Sequence, residues 1–238
     1  MPKQRFARVL VKVSGEALMG DTDFGLNADT LNRIGKDLAR ARKAGTEIAV
    51  VVGGGNILRG AELATTGMPR ATADQMGMLA TVINALALER AIEAAGAPAR
   101  AFSALDMPTV CQPYARKPAM KDLSEGRIVV LAGGTGNPYF TTDTAAALRA
   151  AELGCEAIFK ATDVDGIYDA DPNKNPKAKR FKTLTHSDAL NRNLKVMDAA
   201  AFALARDARL PIIVFSIKQA GAISAAIADP SRGTIVTA

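Results

Sequence analysis

The chain has 238 residues, 48% of them hydrophobic and 23% charged, with 20 Gly, 11 Pro and no Trp. That apolar content, spread along the whole sequence, excludes a disordered chain, and no apolar run approaches the roughly 18 residues of a membrane-spanning helix. Net charge is +6, from 30 Lys and Arg against 24 Asp and Glu, which favours anionic partners; aromatics at 5% leave few stacking platforms and weigh against nucleic acid. The two cysteines, Cys111 and Cys155, form no disulfide framework or metal cluster and fit a reducing cytoplasm.

In chain order, the opening MPKQRFARVLVKVSGEA is basic, but Lys12 interrupts its apolar stretch, so residues 6–13 read as a first strand rather than a signal peptide. A helix is predicted at 29–44, a strand at 47–52, a helix at 74–95 and a strand at 127–132. A helix at 143–153, a strand at 156–160, a helix at 198–208 and a strand at 211–216 follow. The strands are short and rich in branched apolar residues, as strands buried on both faces are. Gly45, Gly96 and Gly154 stand where helices should end. Such alternation predicts an α/β fold with a mostly parallel sheet covered by helices, with no linker or repeat. Residues 171–182 (DPNKNPKAKRFK) read as a long mobile loop.

Helix 74–95 carries two apolar stripes, Met76, Leu79, Ile83 and Leu86 on one side and Met78, Val82, Ala85 and Ile92 on another. It is therefore either buried all round or part of a subunit contact.

Glycines and polar residues gather where strands end. Strand 6–13 runs into Ser14-Gly15-Glu16, and strand 47–52 into Gly53-Gly54-Gly55-Asn56, with Arg59 and Gly60 beyond. Strand 127–132 runs into Gly133-Gly134-Thr135-Gly136-Asn137-Pro138, and the next into Lys160-Ala161-Thr162-Asp163. In a parallel sheet these loops share the carboxyl edge, where open α/β sheets bind ligands. Glycines there admit close approach, and unpaired N–H groups attract anions, so the edge reads as a phosphate site.

Familiar motifs fail. There is no G-x-x-x-x-G-K-[ST] loop, no H-R-D segment and no G-x-S-x-G elbow, and the sixth position from Gly53 is Leu58 where a dinucleotide fingerprint needs glycine. The sole histidine, His186, reads as a surface or helix-capping residue. Asp163, Asp165, Asp169 and Asp171 lack the EF-hand spacing and read as a polar turn with local caps. Asp74 opens its predicted helix, while Asp143 and Asp198 are open between capping and orienting lysines or Mg²⁺.

Taken together, KVSGEA at 12–17, GGGNILRG at 53–60, DQMGMLAT at 74–81, GGTGNPYFTTDT at 133–144, KATDVDGIYDADP at 160–172 and KVMD at 195–198 resemble the bacterial uridylate (UMP) kinases of the amino-acid kinase fold family. The resemblance runs in order over essentially the whole chain. It implies a three-layer α/β/α sandwich, a single domain over 1–238 binding both nucleotides, and the reaction UMP + ATP → UDP + ADP with Mg²⁺ in pyrimidine nucleotide biosynthesis. It also implies a homohexamer.

Carried over, the resemblance puts Lys12, Val13, Ser14, Gly15, Gly55 and Arg59 at the ATP phosphates, and Thr162, Tyr168 and Asp171 at the adenosine. Tyr168 stands where relatives carry Phe, and either ring can pack on a base. Gly54, Asp74, Thr135, Gly136, Asn137, Pro138, Tyr139, Phe140, Thr141 and Thr142 fall at the UMP. The segment Gly20, Asp21, Thr22, Asp23, Phe24 and Gly25 matches the one associated with GTP activation, and UTP inhibition also occurs in the family. Lys12, Lys160 and Asp198 are the expected catalytic residues. No protein-only metal site is expected, Mg²⁺ being held mostly by phosphates and water. UMP, mostly dianionic at neutral pH, needs no general base, which suits a chain without a usable histidine.

Overall fold

The computed structural model describes residues 6–58, 67–172, 174–175, 177–192, 194 and 196–237. Arg59 and Lys195 therefore lie outside the described residues. Nine strands form one sheet: β1 (Arg8–Val13), β2 (Glu47–Val52), β3 (Ala99–Ser103), β4 (Gln112–Pro113), β5 (Ile128–Ala132), β6 (Ala157–Thr162), β7 (Thr183–Thr185), β8 (Ile212–Ser216) and β9 (Thr234–Thr237). Their order is β4-β3-β5-β2-β1-β6-β8-β9-β7, and every pairing is parallel except β8 with β9.

Helices cover both faces. Alternate residues of β1 point to opposite sides. Val9, Val11 and Val13 pack with α1 (Ala28–Lys43), α2 (Arg70–Ala94) and α7 (Ala222–Ala228). Leu10 packs on the other side, with α3 (Arg116–Ser124), α4 (Thr142–Leu153), α5 (His186–Asn191) and α6 (Ala199–Asp207). The result is the α/β/α sandwich with a mostly parallel sheet that the motifs implied. Central strands covered on both faces read as unbroken apolar runs, which is why β1, β2, β5, β6 and β8 were visible in the sequence.

Three expectations need correction. Helix α2 begins at Arg70, not Asp74, because Pro69 caps it and fixes the start four residues earlier. Asp74 thus sits in the second turn rather than at a helix opening. His186 is not a surface residue: it is fully buried, and Nε2 lies 3.0 Å from the Leu210 carbonyl oxygen. Burial lowers its pKa below the ordinary value, and the capping role falls to Thr185, which forms a reciprocal capping box with Asp188. Lys160 is not the last residue of its strand, since β6 continues through Thr162.

Glycines 45, 96 and 154 do stand at helix ends with positive φ, Gly154 being the C-cap of α4.

Candidate active site

The four glycine- and polar-rich loops leave the carboxyl ends of β1, β2, β5 and β6, which neighbour one another in the order β5-β2-β1-β6. The two lysines occupy the middle of that row. Lys12 and Lys160 are register partners on β1 and β6, on the sheet face covered by α4. Both are almost completely buried, at 7% and 9% exposure. An unpaired ammonium at such depth carries a desolvation penalty of several kcal/mol. Asp143, in the first turn of α4, offsets it: Oδ1 lies 2.9 Å from the Lys12 ammonium and Oδ2 2.5 Å from that of Lys160.

Burial alone would push the Asp143 carboxyl up, but the two ammonium groups pull it below the usual carboxylate value. The Lys160 ammonium moves down as well, chiefly through burial and in part through repulsion from Lys12, with Asp143 opposing the shift. Asp198 adds a second, more distant carboxylate charge at Lys160, so two cations and two carboxylates meet where the central strands end.

The start of α4 is built to hold that carboxylate. The Thr141 hydroxyl caps the helix by accepting from the Asp143 and Thr144 amides. Asp143 then lies in the first turn, where the helix dipole favours negative charge. Asp198 caps α6 by accepting from the Ala201 amide, and its carboxylate also accepts from the Thr141 and Thr144 hydroxyls. Asp143 is thus the carboxylate in contact with both lysines, while Asp198 ties the starts of α4 and α6 together and still acts electrostatically on Lys160.

On the β2 and β5 side, Gly54, Asp74, Phe140, Thr141 and Thr142 line one cleft, joined by Gly77 and Thr81. The Asp74 carboxylate faces it while accepting from Arg70 Nε and from the Tyr139 amide at 2.8 Å. Tyr139 adopts φ 73°, a left-handed conformation rare for a bulky residue, and is 69% exposed. Thr135 and Asn137 close a local turn, the Asn137 amide donating to the Thr135 hydroxyl at 3.2 Å.

Loop packing explains the glycines. A Cβ on Gly53 would come within 2.7 Å of the Gly15 nitrogen, and one on Gly54 within 2.8 Å of the Gly77 carbonyl. The loops after β1 and β2 and helix α2 touch backbone to backbone. Their amides are not equally available. Gly53 N–H donates to Val13 and Gly136 N–H to Gly133, whereas those of Gly54, Gly55, Gly134 and Thr135 make no hydrogen bond to the described residues.

Beyond β6, Tyr168 and Asp171 line a second depression with Val164, Ile167 and Arg192. Thr162 stands at its approach, its hydroxyl accepting from the Val164 amide. The aspartates of this stretch are engaged locally: Asp165 accepts from the Tyr168 hydroxyl and pairs with Arg180, and Asp169 accepts from the Lys179 amide. Ser14 accepts from the Ala17 amide, so the loop after β1 turns tightly beside Gly15. Segment 20–25 turns on Gly20 and Gly25, both at positive φ, leaves Phe24 69% exposed and fastens at Gly25 to Asn56. Gly20 and Asp21 border a further depression with Arg33 and Lys218.

Set against known proteins, this architecture has close counterparts. The pattern defining the amino acid kinase family matches residues 7–216. The chain belongs to the amino acid kinase family. Within that family it is 63% identical to the uridylate kinase of Azorhizobium caulinodans, over the full length of both, and 60% identical to that of a Bradyrhizobium species, over 99% of each. Among solved structures, UMP kinase from Bacillus anthracis superposes with a TM-score of 0.93 at 35% identity, covering 98% of this chain and 96% of the other. UMP kinase from Ureaplasma parvum gives 0.92 at 35% identity, covering 98% and 100%.

As in any amino acid kinase, function must be read from the site, and sequence reasoning missed part of it. Gly77 and Thr81 line the cleft because they follow Asp74 by three and seven residues, one face of a helix. Counting helical turns from Asp74 would have found both.

Proposed function

We propose that this protein is a UMP kinase: a single domain, 1–238, that moves the γ-phosphoryl group of ATP onto UMP, giving UDP and ADP, as a step of pyrimidine nucleotide synthesis. The observation that carries the reading is the buried Lys12–Asp143–Lys160 group standing in the sheet between two clefts. The relatives named uridylate kinase support the choice of acceptor.

UMP lies in the cleft lined by Gly54, Asp74 and residues 140–142, with residues 135–139 in the adjoining loop, the Asp74 carboxylate accepting from ribose hydroxyls. ATP places its phosphates over residues 12–15, Gly55 and Arg59, and its adenosine by Thr162, Tyr168 and Asp171. A phosphate oxygen of UMP attacks the γ-phosphorus, the new P–O bond forming as the bond to the β-phosphate oxygen breaks and ADP departs. The attacking phosphate is already a dianion, so no proton need be removed. Lys12 and Lys160 flank the moving group, and the amides of Gly54, Gly55, Gly134 and Thr135 supply fixed dipoles where charge spreads. Asp143 keeps both ammonium groups aimed at one point, and Asp198 holds Thr144 and Thr141, the second of which borders the UMP cleft.

No group of three His, Cys, Asp or Glu side chains among the described residues could hold a metal, and Asp143 is occupied by lysines. Mg²⁺ would arrive on ATP, held by phosphate oxygens and water, and would supply charge neutralisation at the phosphates beside Lys12 and Lys160.

The remaining expectations belong to the same reading: a homohexamer in the cytoplasm, activated by GTP through residues 20–25 and inhibited by UTP. The exposed side chains of Met76, Leu79 and Ile83 support subunit contact. No helix of the described residues is long and apolar enough to cross a membrane. The test is a panel of UMP, CMP, AMP and GMP with ATP and Mg²⁺, with and without GTP. UMP is expected to be turned over fastest, and equal turnover of CMP, or none of UMP, overturns the reading.

A further inference from the structure

Thr81 and Asn84 lie one turn apart on α2, on the face turned toward the sheet, at 3% and 0% exposure. The Thr81 hydroxyl donates to the Met78 carbonyl at 2.6 Å and accepts from the Gly133 amide at 2.7 Å. The Asn84 amide group donates to the Gly53 carbonyl at 2.7 Å and to Asn56 Oδ1 at 2.6 Å. Asn56 Nδ2 donates back to Asn84 Oδ1 at 3.0 Å and to the Gly25 carbonyl at 2.8 Å. Gly53 and Gly133 are each the first residue after their strand, β2 and β5. Two loops from neighbouring strands are thus pinned at equivalent points to one helix.

We propose that Thr81 and Asn84 are positioning residues for phosphoryl transfer, clamping both glycine loops so that their amides converge on the moving phosphoryl group. The proposal rests on the UMP kinase reading. The clamp uses the Gly53 carbonyl and the Gly133 amide, and leaves the amides of Gly54, Gly55, Gly134 and Thr135, one and two residues onward, without partners among the described residues. Asp74 is on the same helix, so one rigid element sets the spacing between the nucleoside end of the cleft and both sets of donors. Preorganised donors act where charge develops, and a displacement of about 1 Å can cost about 100-fold in rate. The clamp should therefore show in kcat more than in KM.

The hydroxyl of Thr81 can be removed with little change of shape. In Thr81→Val, kcat is expected to fall about 10- to 100-fold with KM for UMP within about threefold. Thr81→Ser, which keeps the hydroxyl, should stay within about threefold of wild type in both. Asn84→Asp, isosteric but without the Nδ2 donors, should lose kcat in the same range, with thermal melting reporting the folded fraction. Should the buried carboxylate of that variant prevent folding, the Thr81 pair still decides. The proposal is overturned if folded Thr81→Val keeps kcat within about twofold, if its loss falls on KM alone, or if Thr81→Ser loses as much as Thr81→Val. Wild-type protein that makes no UDP overturns the underlying reading and the proposal together; wild-type turnover with an undiminished Thr81→Val overturns the proposal only.

Discussion

Lys12 and Lys160 sit opposite each other in register on adjacent parallel strands, and both ammonium groups close on the same carboxylate, that of Asp143. Register partners on adjacent strands share one face of the sheet, and two buried lysines placed so repel unless an anion stands between them. The arrangement therefore holds two buried cations on one contacting carboxylate, with the charge of Asp198 also felt at Lys160.

Lys12→Ala follows directly. It removes one of two cations that would gain most as charge builds on the moving group, and leaves the cleft lined by Gly54, Asp74 and residues 140–142 in place. Steady-state kinetics should give a kcat about 10²- to 10³-fold lower with KM for UMP changed only severalfold. An unchanged kcat would remove Lys12 from the mechanism.

The buried lysines also set a pH dependence. Burial, with Lys12 adding repulsion, brings Lys160 below its ordinary value of 10.5, and Asp143 works against that shift. The alkaline limb of kcat should accordingly lie below 10.5 in the wild type, and Asp143→Asn should move it lower still. The variant should also be less stable at pH 7 by about 3–5 kcal/mol, as when one partner of a buried ion pair is removed. The sign with pH is fixed: where the folded lysine has the lower pKa, the unfolded chain binds more protons, so stability rises with pH across the window between the two values. Urea midpoints of Asp143→Asn should therefore recover as the pH rises toward the ordinary lysine value of 10.5, and a flat or falling series contradicts the assignment.

Asp198 calls for a different outcome. Its carboxylate is spent on the Ala201 amide and on the Thr141 and Thr144 hydroxyls. Asp198→Ala should lose a helix cap worth about 1–2 kcal/mol and slacken the threonine that borders the UMP cleft. KM for UMP should rise severalfold while kcat at saturation falls less than about tenfold, which separates positioning from contact with the phosphoryl group. A kcat loss matching that of Lys12→Ala would return Asp198 to the catalytic residues.

What could be read beforehand followed physical lines. Strands buried on both faces appear as apolar runs, so β1, β2, β5, β6 and β8 were found to within two residues at either end. β7 and β9 were missed: three and four residues long at the antiparallel edge, they give too little pattern. β3 was missed because Ala99–Ser103 mixes arginine, alanine and serine. The glycine loops were legible because backbone contact between Gly15 and Gly53 tolerates no side chain. The Asp143 bridge was only half legible, since spacing along a chain does not tell a helix cap from a counter-ion; only the β1–β6 register brings the two lysines to one carboxylate. Asn84 gave no signal at all, because an asparagine within a helix looks like a surface residue until its buried partners are known.

The last prediction concerns the outer face of α2. Met76, Leu79 and Ile83 follow one another at helical spacing, with exposures of 36%, 49% and 51%, while the opposite side of the helix is buried in the core. A contiguous exposed apolar stripe of this kind marks an interaction surface. In a hexamer of identical chains it would pack against a second copy. Leu79→Glu would place a charge in the middle of that contact without touching the core side of the helix. Sedimentation velocity should then show smaller species than the wild type, with far-UV circular dichroism unchanged. Because the same helix carries Asp74, Thr81 and Asn84, kcat should fall with the loss of assembly and recover in part at high protein concentration. A variant that sediments with the wild type shows that the stripe lies outside the subunit contacts.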